Sequence, residues 1–238
     1  MHPRLVLVHG SVVGGASTWR AQQALHDRFD LVVVERPGFP PGPDVERVDF
    51  EEHAELLARR LRPGDHLVGH SYGGVICLLA AASERTKVRS LTVIEPPCTR
   101  VALDDPAAAA FARGGADLWE HGPRDDPEAF LRAFLQAVGS DFDPPSPLPR
   151  DLEQGARTLM VERGPWEAEI PLDALAAAPF PKLVVSGSHH AAFDAICAVL
   201  RDRLGAELRA LPGYGHAAQR HPGFNDLLSS FVARAAAT

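Results

Sequence analysis

Short, almost wholly apolar runs alternate along the chain with longer amphipathic stretches. Residues 4–8, 31–34, 66–68, 88–94, 182–185 and 207–211 are dominated by leucine, valine and isoleucine, and glycine or proline follows most of them within a few residues. They lack the polar alternation of a sheet with one wet face, so they predict parallel strands covered on both sides. Helical patterns fill the gaps. Asp49 can cap a helix over 50–61, with Glu52 completing a capping box and Pro63-Gly64 stopping it. Further helices are predicted over 73–83, over 194–204 before Gly205, and after Pro222. Strands separated by helices imply right-handed crossovers and a doubly wound α/β sheet of six, mainly parallel, strands with helices on both faces.

The rhythm breaks between 98 and 172. Ala-rich, acidic helical pieces carry Trp119, Phe130, Phe134 and Trp166, and residues 141–149 hold four prolines that read as a bend. An insertion at the carboxyl edge of an open α/β sheet sits where such sheets bind ligands. The expected partition is a core of 1–97 and 173–238 with a helical lid over 98–172; a small second domain packed by those aromatics is the alternative.

Composition narrows the function. At 238 residues, with 45% hydrophobic and 23% charged positions, the chain suits one α/β domain with an insertion. Its net charge of −7 and lack of a basic run argue against nucleic acid. Cys77, Cys98 and Cys197 have neither zinc-site nor disulfide-framework spacing, which suits a reducing compartment. The run 5–8 is too short for a signal peptide and 75–82 too short to cross a bilayer. A soluble, cytoplasmic protein is expected, without membrane partner, as a monomer or homodimer acting on a small molecule.

Three motifs carry chemistry. Gly69-His70-Ser71-Tyr72-Gly73 stands after an apolar strand and before an apolar helix. A nucleophile on so tight a strand-to-helix turn needs small flanking residues, and the helix N-terminus favours developing negative charge. His9-Gly10-Ser11 follows the first strand, where the Ser11 N–H, with that of Tyr72, can serve as oxyanion donor. His9 itself is expected to be buried and structural. Pro212-Gly213-Tyr214-Gly215-His216 follows the last strand, which puts an imidazole on the same sheet edge as Ser71, able to take the serine proton and return it. His26, His53, His121 and His221 read as surface or capping residues.

These motifs resemble the α/β-hydrolase superfamily over nearly the whole chain, the insertion excepted. Against that family the expected form is a reduced one of six strands, without the first antiparallel strands. The resemblance implies a Ser71–His216 pair with a third, acidic member, and here the sequence departs again. The family most often sets Asp about three residues after the glycine ending the penultimate strand, yet Gly187 is followed by Ser188-His189-His190-Ala191. Glu95 ranks first as a substitute, because relatives such as haloalkane dehalogenases take their acid from that strand. Asp194, at the expected helix start, ranks second with a capping role of its own, and a site without a true acid ranks third. The resemblance implies a serine hydrolase of a small, apolar ester, lactone or thioester working through an acyl-enzyme, with no metal or organic cofactor. Dehalogenation would need a carboxylate where Ser71 stands. A hydroxynitrile-lyase-like or cofactor-free perhydrolase activity, and a non-catalytic small-molecule receptor or signalling protein, remain as alternatives on the same fold.

Overall fold

The computed structural model describes residues 2–237. Its elements, in chain order, are β1 Arg4–Val8, α1 Gly15–Thr18, β2 Asp30–Val34, α2 Phe50–Arg60, β3 Asp65–His70, α3 Tyr72–Ser83, β4 Val88–Ile94, α4 Pro106–His121, α5 Pro127–Ala137, α6 Arg150–Met160, α7 Leu172–Ala176, β5 Lys182–Ser186, α8 Ala191–Leu204, β6 Glu207–Ala210 and α9 Phe224–Ala237. The six strands form one sheet in the order β2-β1-β3-β4-β5-β6, every pair parallel. The doubly wound α/β arrangement expected from the apolar runs is therefore present. No helix among the described residues is long and apolar enough to cross a membrane.

Period-two side-chain alternation builds a core on each face. Val6, Val8 and Leu67 point to the layer of α2, α3 and α8, where they meet Phe50, Leu57, Ile76, Ile196 and Leu200. Leu5, Leu7 and Val68 point the other way, against Trp19, Phe224, Leu228 and Phe231. Both faces are dry, which is why the strands carry no polar alternation.

The stretch between β4 and β5 folds as helices α4–α7; Phe130, Leu131 and Leu135 of α5 pack with Leu152 and Leu159 of α6 in a small separate core, while Ala108 of α4 and Leu175 of α7 join the main one. Its helix starts are written locally. Asp105 and Asp126 accept N–H groups of the first turns of α4 and α5, and Pro106 and Pro127 occupy first positions, where a missing N–H costs nothing. Backbone bonds from Val48 to Val161 (3.0 Å) and from Arg163 to Val48 (2.8 Å) tie it to the core.

Three local expectations need correction. Asp49 caps α2 through the N–H groups of Glu51 and Glu52, but the Glu52 carboxylate turns to Arg47, so the reciprocal half of the capping box is not made. Helix α8 begins at Ala191, not Asp194, because the His190 imidazole accepts the Ala192 N–H and acts as the cap. His53 is not on the surface: it lies in the interior beside the Arg36 guanidinium.

Buried imidazoles make the fold acid-sensitive. Burial, helped by Arg36, drives His9 well below the ordinary 6.5 and His53 to about 3; burial lowers His66 to about 4. All three are neutral in the folded chain, while in the unfolded chain each titrates near 6.5. Below that pH the unfolded state binds protons that the folded state refuses, so stability falls as pH drops from about 6.5 towards about 4. These three sites alone, at ~1.4 kcal/mol per proton, contribute a slope of about 4 kcal/mol per pH unit at most. Urea midpoints measured between about pH 7 and about pH 5 should fall steeply; a flat dependence would mean that these imidazoles are free to protonate in the native fold.

Candidate active site

Sheet order brings the chemistry together. β3, β4, β5 and β6 lie side by side, so their carboxyl ends deliver Ser71, Glu95, the 186–190 turn and the loop holding His216 to one edge. On the other flank of β3, β1 delivers residues 9–12. Ser71 occupies φ 54°, ψ −126°, directly before α3. A side chain on Gly73 would meet the Val8 and His9 carbonyl oxygens at 2.4 Å, and one on Gly10 would meet Ser71 Cβ at 2.7 Å. The two motifs thus pack backbone against backbone, and only glycine lets them. The four non-glycine residues with positive φ among the described residues, Val12, Ser71, Glu95 and Ser188, all border this edge. For a β-branched residue such as Val12 that conformation is strained, and strain of this kind gathers at functional sites.

The His216 Nε2 lies 2.8 Å from Ser71 Oγ and its Nδ1 lies 2.9 Å from Glu95 Oε2. Glu95 is fully buried. Its Oε1 accepts the Gly187 N–H at 2.6 Å. Burial works to raise the Glu95 pKa, but the His189 and His216 side chains and the Gly187 N–H outweigh it and hold the carboxyl at about 2. It is an anion at neutral and mildly acidic pH. Asp194 sits in the first turn of α8, where its Oδ1 accepts the Ser186 hydroxyl at 2.5 Å; among the described residues it makes no hydrogen bond to His216. The His216 backbone is pinned as well. His70 Nε2 donates to the His216 carbonyl at 2.8 Å, and burial lowers His70 to about 3, keeping it neutral.

Ser11 and Tyr72 line the same cavity as Ser71. Tyr72 is the first residue of α3, so its N–H has no partner within the helix. The loop carrying Ser11 is held by a network that the sequence did not announce. Arg36 Nη1 donates to the Gly10 carbonyl at 2.8 Å, and Arg36 Nη2 to Glu162 Oε1 at 2.7 Å. The Ser11 hydroxyl bonds the other Glu162 oxygen. His9 belongs here too, fully buried, accepting the Arg36 N–H at Nε2 and set against its neighbour's carbonyl. Arg36 follows β2 at the carboxyl edge, a weak cue. Glu162 lies in the insertion with no motif around it.

A narrow cavity of about 40 Å³ opens onto Ser11, Ser71 and Tyr72 beneath the insertion. Phe111, Leu118, Trp119, Phe134, Trp166 and Phe193 form its apolar wall, and neither Lys nor Arg lines it. That volume holds a few waters and no acyl chain. A larger hollow of about 280 Å³, between Val34, Phe39, Leu57 and Ile76, contains none of Ser71, Glu95 or His216.

Residues 5–224 match the sequence model of the alpha/beta hydrolase family, and the chain belongs to that family. It is 31% identical over 179 residues to the pimeloyl-[acyl-carrier protein] methyl ester esterase of Aeromonas hydrophila subsp. hydrophila, covering 74% of this chain and 65% of that protein. To the enzyme of the same name from Chromobacterium violaceum it is 34% identical over 141 residues, covering 59% of this chain and 48% of that one. The chain thus spans less than two thirds of the length of the curated relatives it matches. Among solved structures, NosK from Streptomyces actuosus superposes with a TM-score of 0.62 at 24% identity, covering 99% of this chain and 100% of that one, a likeness of fold.

Proposed function

We propose that this chain is a serine esterase that cleaves small, uncharged carboxylic esters through an acyl-enzyme. The observation that carries the reading is the continuous chain of contacts from Ser71 Oγ through His216 to the buried Glu95 carboxylate, at 2.8 and 2.9 Å. Ser71 Oγ attacks the acyl carbonyl while its proton passes to His216 Nε2. Glu95 fixes the tautomer that leaves Nε2 free to accept, and stabilises the imidazolium that forms. The N–H groups of Ser11 and Tyr72 bind the oxyanion. The proton leaves with the alcohol, and water activated by the same imidazole releases the acid. The relatives' name, a methyl ester esterase, supports the reaction class. An apolar wall without a cation supports an uncharged acyl group, since a free carboxylate would find no partner there.

A fluorophosphonate probe should label Ser71 alone, and p-nitrophenyl esters of short acyl chains should turn over. Labelling elsewhere, or none together with no turnover across a panel of chain lengths, would overturn the reading.

The helices between β4 and β5 act as a lid in this scheme, because the cavity must widen before an ester can enter. Trp119 and Trp166 touch edge to face at 5.3 Å over Ser71. Inhibitor binding should therefore change tryptophan fluorescence, and amides of residues 106–137 should exchange faster than those of β3 and β4. Uniform protection with no fluorescence response would make the insertion a rigid subdomain.

A further inference from the structure

The turn where the family's usual acid would stand holds two imidazoles, and one of them, His189, meets the esterase scheme through the Glu95 carboxylate rather than through Ser71. His189 Nε2 lies 3.1 Å from the Val138 carbonyl. A carbonyl only accepts, so in neutral His189 the proton sits on Nε2 and Nδ1 is a lone pair. That Nδ1 is buried and has no hydrogen-bond partner among the described residues. It nonetheless faces Glu95 Oε2 at 3.3 Å. A lone pair and a carboxylate oxygen at that distance repel each other, and either a proton or a metal ion between them removes the repulsion. The Glu95 carboxylate raises the His189 pKa, so a proton fills the place when no metal ion is bound.

His216 Nδ1 approaches the same oxygen from another side, at 2.9 Å, and the three ligand atoms lie within 4.8 Å of one another. Two atoms bound to a tetrahedral zinc ion are about 3.4 Å apart. Small displacements would bring all three to that spacing. Two imidazoles and one carboxylate are a donor set that zinc takes with its fourth position open. Outer partners are already in place: the Val138 carbonyl orients His189, and the Gly187 N–H holds Glu95 Oε1 at 2.6 Å. The imidazoles are 12% and 13% exposed at their side chains, which leaves a route in for an ion.

We propose that Glu95, His189 and His216 form a binding site for a divalent transition ion of the zinc class, and that the bound ion switches the esterase off. Zinc takes the Nδ1 lone pairs of both imidazoles and one Glu95 oxygen. His216 must then carry its proton on Nε2, pointing at Ser71, so it can no longer accept the serine proton. No bond to Ser71 forms and nothing is oxidised or reduced; removing the ion restores the active tautomer. The inhibition rests on the esterase reading above, whereas the binding does not.

The test separates the two. Co2+ added to the Ser71→Ala protein, free of any polyhistidine tag, should give the visible absorption of a four-coordinate site, saturating at one equivalent and displaced by Zn2+. This needs no turnover, so an inactive enzyme leaves it intact. On the parent protein, Zn2+ should inhibit p-nitrophenyl ester hydrolysis and EDTA should restore it. His189→Gln, scored against its own zinc-free rate, should need at least about tenfold more Zn2+ for half-inhibition than the parent. Should that variant not fold, long-range 1H–15N spectra of the Ser71→Ala protein should show the Nδ1 resonances of His189 and His216 shifting on Zn2+ addition. No saturable Co2+ site, unchanged zinc sensitivity in His189→Gln, or shifts confined to other histidines would overturn the proposal.

Discussion

Ser71→Ala is expected to lower kcat on an activated ester by about three orders of magnitude or more, leaving the fold intact. The substitution removes the hydroxyl that His216 Nε2 meets at 2.8 Å, so proton transfer and acylation stop together. What survives is the polarising effect of the N–H groups, which keeps such variants above the uncatalysed rate. Stability should barely change. The Ser71 hydroxyl makes no capping bond to α3, and alanine tolerates φ 54° no better and no worse than serine. Steady-state kinetics and a thermal melt on the same preparation check both halves. Activity within tenfold of the parent would remove Ser71 from the mechanism.

How much of this could be read from the chain depended on how local each cause was. The elbow was legible because its steric demand falls on residues two apart, Gly69 and Gly73 about Ser71. The strands were legible because two dry faces demand apolar side chains throughout, as in 88–94. Helix α8 was misjudged at its start because an imidazole, His190, does the capping that Asp or Ser usually does. His53 was misplaced because what determines its burial is Arg36, seventeen positions away. The contact between Arg36 and Glu162 spans 126 positions, and Ser11 meets Glu162 across 151. No sequence pattern links residues so far apart; only the fold does. Glu95 stood between these extremes. The end of a strand beside the nucleophile's strand was readable, but which carboxylate reaches His216 depends on side-chain direction, which the residue pattern does not carry.

Glu95→Gln should depress kcat by about three to four orders of magnitude, with KM little changed. The reason is in the two faces of the carboxylate. Oε1 accepts the Gly187 N–H and Oε2 faces His216 Nδ1, so both oxygens serve as acceptors. Glutamine supplies one acceptor and one donor. If its carbonyl stays with Gly187, its NH2 meets His216 and favours a bare Nδ1, which moves the imidazole proton to Nε2, where it blocks the base. If the amide flips, the Gly187 N–H faces a donor in a fully buried place, at a cost of about 1–3 kcal/mol of stability. Neither state offers the negative charge that steadies imidazolium. KM should hold because Glu95 does not line the cavity beside Ser71. Asp194→Asn is the matched control. Its carboxylate meets the Ser186 hydroxyl, which an amide oxygen can also accept, so kcat should stay within about threefold of the parent. A large loss in Asp194→Asn with Glu95→Gln near normal would move the acid to α8 and leave the Ser71–His216 pair standing.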